Sequence, residues 1–78
     1  MSTSSTTPSE YVVVIEHAPD GSFSAYVPDL PGCVACGETA AEARQLIAEA
    51  VQLHIESLRA HNEPVPPPSA TVDRVRAA

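Results

Sequence analysis

Val27-Pro-Asp-Leu-Pro-Gly-Cys-Val-Ala-Cys-Gly37, followed at once by Thr39-Ala-Ala-Glu-Ala43, is the stretch on which the fold turns. Two prolines fix φ and two glycines permit positive φ, so the chain must reverse here between one extended segment and the next. Thr39 with Glu42 three residues later has the spacing of a capping box, in which each side chain satisfies a free backbone N–H at a helix start. The stretch reads as strand, tight turn, short strand, helix.

Working outward, Glu10–His17 (Glu-Tyr-Val-Val-Val-Ile-Glu-His) is a β-branched run of strand length. Tyr11, Val13 and Ile15 share one face, and Val12 and Val14 make the other face apolar as well. That pattern predicts a strand inside the sheet and covered on both sides. One helix covers one face only, so the second face calls for another chain, with Val12 and Val14 as the self-association residues. Ala18-Pro-Asp-Gly21 is a turn, and Ser22–Val27 alternates Phe23, Ala25 and Val27 against Ser22, Ser24 and Tyr26. Cys33–Cys36 makes a short third strand. From Ala40 to about Arg59, Ala43, Leu46, Ile47, Ala50, Val51, Ile55 and Leu58 follow the spacing of an amphipathic helix, with Glu42, Arg44, Gln45, Glu49, Gln52 and Glu56 on the solvated side. Asn62 suits a left-handed C-cap and Pro64 forbids continuation. Pro64-Val-Pro-Pro-Pro68 is a stiff return path, and Thr71-Val-Asp-Arg-Val75 has the alternation of a last, edge-type strand.

The sum is a small α+β domain of order β-β-β-α-β over residues 10–76, behind a disordered leader at 1–9. A chain of 78 residues builds a thin core, for which oligomerisation is the usual supplement. Met1–Ser9 has neither the basic nor the apolar region of a signal peptide, and no run is long enough to span a membrane, so a cytoplasmic protein is expected. Ten acidic residues face four arginines and no lysine, a net charge of −6. Nucleic-acid binding needs cationic contacts with phosphate, and only a weak pair, Arg74 and Arg76, is present. The acidic balance suits a basic protein partner, or simply keeps a small domain soluble.

Chemistry-bearing motifs are few. Cys33-Val-Ala-Cys36 has the Cys-x-x-Cys spacing, but a structural zinc needs four ligands, and His17, His54 and His61 are dispersed. Zinc would therefore have to bridge two chains, and a redox thiol belongs at a helix N-terminus rather than on a strand. Two small buried thiols account for the pair better. Glu16, Asp20, Asp29 and Glu38 show no spacing that sets two carboxylates on one metal, and Asp20 and Asp29 sit where aspartate serves turn hydrogen bonds. No cofactor and no catalytic residue are expected, and His54 borders the apolar stripe of the helix as a packed side chain.

Tyr11-Val-Val-Val-Ile15, Asp20-Gly21-Ser-Phe23-Ser-Ala25, Val27-Pro-Asp-Leu-Pro-Gly-Cys33, Gly37-Glu-Thr39 with Glu42-Ala43, and Glu63-Pro-Val-Pro-Pro67 together resemble the HicB-type antitoxins, the inhibitor half of prokaryotic HicA–HicB toxin–antitoxin pairs. The likeness runs in family order over about residues 10–68. It implies a partial ribonuclease-H-like fold: a three-stranded antiparallel sheet, one packed helix and a last strand added in parallel. It also implies binding and neutralisation of a HicA-type toxin, a small basic ribonuclease, by masking its active surface, in a homo-oligomer (dimer or tetramer). Cys36 falls at a variable position of the family pattern, which weakens the metal reading. Family members commonly carry a C-terminal DNA-binding domain; none is expected here, and no direct nucleic-acid binding is expected either. Partner contact is expected from the turn and its flank: Asp29, Leu30, Glu38 and Glu42. Two rivals stay open, an orphan homo-oligomeric interaction module without a toxin and a zinc-bridged or redox dimer through Cys33 and Cys36.

Overall fold

The computed structural model describes residues 10–77; the expected leader at 1–9 lies outside them. Three strands, β1 (Val14–His17), β2 (Phe23–Tyr26) and β3 (Val34–Gly37), form an antiparallel sheet in the order β1-β2-β3, and one helix, α1 (Ala40–Ala60), packs on it. Ile15 pairs with Ala25 and Ala25 with Ala35, so one row of small and branched side chains crosses the face under the helix. Ala25, Val27, Leu30, Cys33, Ala43 and Ile47 are buried there, with Tyr11, Val13, Ile15, Phe23, Ala35, Ala50, Val51 and Ile55 packed around them.

Two successive turns build the β2–β3 connection. The Leu30 N–H donates to the Val27 carbonyl at 3.1 Å across Pro28-Asp29, and the Cys33 N–H to the Leu30 carbonyl at 3.0 Å across Pro31-Gly32. Gly32 has φ +87, which with proline before it is the type II arrangement that an L side chain would strain. The Val27 N–H reaches the Cys33 carbonyl and closes the base. Because each turn advances three residues, Val27, Leu30 and Cys33 all point into the core while Pro28, Pro31 and Gly32 face water. Leu30 is 0% exposed and, with Ile47, one of the two largest fully buried side chains. Burying a leucine contributes about 2 kcal/mol in area alone.

The same turns shift β3. Cys33 is consumed in closing them, so the strand runs Val34–Gly37 rather than Cys33–Cys36. Alternation then places Cys33 inside and leaves Cys36 exposed, which corrects the expectation of two buried thiols. β1 is shorter than the Glu10–His17 run because its ladder partner ends at Tyr26, beyond which Val27 enters the turn. It is an edge strand, not an interior one, and the helix covers only one of its faces.

The helix begins as the capping spacing predicts. Thr39 is the N-cap and its Oγ1 accepts the Glu42 N–H at 3.0 Å, while the Glu42 carboxylate reaches one residue further back and accepts the Glu38 N–H at 2.6 Å. Gly37 is required just before this: a Cβ on it would lie 2.7 Å from the Ala43 backbone nitrogen. At the far end Asn62 is left-handed (φ 56), with the Glu63 N–H on the Leu58 carbonyl and the Asn62 N–H on the Arg59 carbonyl, a Schellman cap.

The expected last strand is not formed. Among the described residues no regular element follows residue 62, and Thr71–Val75 is exposed throughout. Pro66, Pro67 and Pro68 offer no N–H to a ladder, and the chain beyond them is drawn across the sheet end instead of along β1, as described below.

Leu30→Ala is expected to destabilise the domain by about 3 kcal/mol through lost burial and the cavity it leaves. Gly37→Ala should cost about 1–3 kcal/mol by overpacking the strand–helix junction. Urea unfolding followed by circular dichroism measures both.

Candidate partner-binding surface

Asp29, expected to serve its own turn, spends its carboxylate on a distant segment instead. Its carboxylate accepts hydrogen bonds from the Ser69 N–H (3.0 Å), the Ser69 hydroxyl (2.8 Å) and the Ala70 N–H (3.0 Å), forty residues away in sequence. Three donors favour the ionised form, and the Ala70 and Ser69 amides, then the Ser69 hydroxyl, hold the carboxyl below its ordinary value. Three residues earlier, the Tyr11 hydroxyl donates to the Pro66 carbonyl at 2.5 Å. The segment after the helix is thus fastened at the head of β1 and again at the β2–β3 turn.

The four residues expected to touch a partner do not form one patch. Leu30 belongs to the core and offers no side-chain contact. Asp29 lies at the turn end of β3, and Glu38 and Glu42 lie past its other end, with the four-residue strand, about 13 Å by strand rise, between them. Glu38 and Glu42 are exposed and open a longer acidic face. Glu42, Glu49 and Glu56 recur every seven residues, so they stay on the side of α1 turned from the sheet, beside Gln45 and Gln52. Leu46 and Leu53 sit among them, the latter 66% exposed. The seven-residue acidic spacing was visible in the sequence; the exposed Leu53 was not singled out from it.

A second surface has the opposite character. On the sheet face away from the helix, Val14 pairs with Tyr26 and Tyr26 with Val34, an apolar row with Val12 leading into it. Val34 is 65% exposed. Tyr26 lies on the face opposite Phe23 and Ala25, as the alternation of Ser22–Val27 predicts, and Val34 faces outward because it alternates with the buried Cys33. In the next row Glu16, Ser24 and Cys36 lie side by side.

The two cysteines are chemically unlike. Burial raises the Cys33 pKa, keeping a protonated thiol that is a poor ligand and nucleophile. Among the described residues no group of three or more His, Cys, Asp or Glu side chains converges, and no helix is long and apolar enough to cross a membrane.

Residues 11–78 match the family described as the HicB-like antitoxin of bacterial toxin–antitoxin systems. The chain belongs to the HicB-like antitoxin family. A UPF0150 protein of Synechocystis sp. is 48% identical over 56 residues, 72% of this chain and 71% of that protein. A UPF0150 protein of Thermoplasma acidophilum is 43% identical over 68 residues, 87% of this chain and 99% of its own length. Among solved structures, the N-terminal domain of Burkholderia pseudomallei antitoxin HicB superposes with a TM-score of 0.67 at 29% identity, covering 76% of this chain and 69% of that one.

The fastening at Asp29 has a pH signature. Its folded-state pKa is depressed, so its contribution is complete above the ordinary aspartate value of about 4 and is lost as pH falls through the lowered value. Amide exchange at Ser69 and Ala70, corrected for the intrinsic pH dependence, should accelerate in that acid range. Asp29→Ala should produce the same loss of protection at neutral pH with the helix intact.

Proposed function

We propose that this chain is a non-catalytic antitoxin domain that binds a small basic ribonuclease of the HicA type and neutralises it by covering its RNA-binding surface. The match to HicB-like antitoxins across residues 11–78 carries this reading. The charge distribution supports it: a surface that binds RNA is cationic, and the acidic face from Glu38 and Glu42 through Glu49 and Glu56 offers it complementary charge. Leu46 and Leu53 add apolar area at the centre of that face. Asp29 serves chiefly to hold residues 69 and 70, and it adds negative charge at the other end of the sheet. Self-association uses the opposite face, where Val12, Val14, Tyr26 and Val34 are nearly free of charge and can pair with the same row of a second copy. The domain works in the cytoplasm, where its toxin is made.

The second reading is an orphan homo-oligomeric interaction module. The Thermoplasma relative favours it, since the alignment takes up 99% of that protein, so a domain of this size exists there with little else attached. A zinc-bridged or redox dimer is a weaker proposal because Cys33 is buried with a raised pKa.

Co-expression with the product of an adjacent gene for a short basic protein should give a stable complex in which RNA cleavage by that protein is lost. Uninhibited cleavage in the presence of excess antitoxin would sink the reading. Glu49→Lys with Glu56→Lys should weaken the complex at least tenfold and flatten its salt dependence, with folding unchanged. Separately, Val12→Asp with Val14→Asp should reduce the oligomer in light scattering, and an unchanged mass would refute the sheet-face contact.

A further inference from the structure

The chain after the helix is positioned with care and then left uncovered. Tyr11 holds Pro66 and Asp29 holds Ser69 and Ala70, yet Val72 is 71% and Val75 91% exposed. Between Pro66 and Ser69 the chain passes from the head of β1 to the β2–β3 turn, so its own arm is led away from the free edge of β1. That edge is well suited to a strand. Glu10–His17 is the most β-branched run of the protein, but only Val14–His17 is paired, and on one side alone. Tyr11–Val13 is extended in sequence character and belongs to no ladder among the described residues.

Charge separates the arm from everything before it. Residues 1–70 hold nine acidic residues and two arginines, whereas residues 71–78 hold Asp73 against Arg74 and Arg76. The arm is net positive by one charge on an anionic protein, and Glu10 and Glu16 lie at either end of the β1 run. An edge strand is a site of β-augmentation for a short extended segment, and Arg74 with Arg76 bring charge opposite to that of Glu10 and Glu16. The hold of Asp29 on Ser69 and Ala70 directs the arm away from its own β1, an arrangement that suits exchange of an identical element between protomers.

We propose that Thr71–Val75 of one chain adds as an edge strand to the Tyr11–His17 run of a second copy, and that the exchange is reciprocal. The contact is distinct from the outer face of the sheet: it uses backbone groups at the β1 edge and the side chains of Arg74 and Arg76, and does not depend on toxin binding.

The test compares the full chain, a variant ending at Ala70, and the full-length double variant Val72→Pro, Val75→Pro, by light scattering and hydrogen exchange at low salt. The full chain should be a dimer or a multiple of one with Tyr11–Ile15 amides protected. Both variants should show half that mass and at least tenfold faster exchange at Tyr11–Ile15, with the helical signal in circular dichroism unchanged. The proline variant keeps every other residue, so a folding defect of the shortened chain cannot imitate the result. A monomeric full chain, an equal mass in all three, or exchange at Tyr11–Ile15 that ignores the arm would each overturn the proposal. Because Val12, Val14, Tyr26 and Val34 are untouched in both variants, and no toxin is present, failure here leaves the sheet-face contact and the antitoxin reading to stand or fall by their own tests.

Discussion

Burial of Leu30 is the constraint on which the rest of the structure depends. Three residues separate it from Val27 and three from Cys33, and a proline-led turn on either side drives all three inward. The turns set the register of β3, and the register sets the faces. Once Cys33 closes the second turn, Ala35 must look toward the helix and Val34 and Cys36 toward solvent. The close approach of Gly37 to Ala43 follows, which fixes where the helix can start. Few residues of a 78-residue chain are fully buried, so a single leucine between two turns is a large share of its core.

Asp29 links that turn to the C-terminal segment. Local hydrogen bonding is the ordinary use of aspartate in a turn, and Asp20 follows it: its Oδ1 accepts the Ser22 N–H at 2.9 Å and the Ser22 hydroxyl at 2.7 Å. Asp29 has the same kind of sequence neighbourhood but spends its carboxylate on Ser69 and Ala70. A turn residue thereby decides the path of the C-terminal segment. The molecule is left with surfaces of different chemistry: an acidic helical face with two exposed leucines, a nearly uncharged apolar sheet face, and a short basic arm. Like charges repel across a two-fold contact, so the acidic face and the nearly uncharged face differ in the surfaces they can complement.

The element order β-β-β-α could be read from residue patterns, as could the Thr39 N-cap and the left-handed Asn62. Period-two alternation in Phe23–Val27 and the apolar stripe of the helix each bind a residue to a face without outside help. The candidate site was less legible. Asp29, Glu38 and Glu42 are near one another in sequence, but a strand lies between the first and the other two and carries them apart; Leu30, next to Asp29, turns inward. Adjacency along a chain says little about adjacency on a surface when a strand intervenes.

By itself, then, the sequence determined the turns, the caps, the helix and the acidic character of its exposed side, because each follows from φ restriction, side-chain capping or periodicity within a few residues. Only the tertiary structure decided that β3 shifts by one residue, that Cys36 faces water, that β1 stands at an edge, and that Thr71–Val75 joins no ladder among the described residues. Those outcomes rest on contacts between distant segments, Val27 with Cys33, Gly37 with Ala43, and Asp29 with Ser69 and Ala70. No local propensity encodes which of two distant groups will take up a given hydrogen bond.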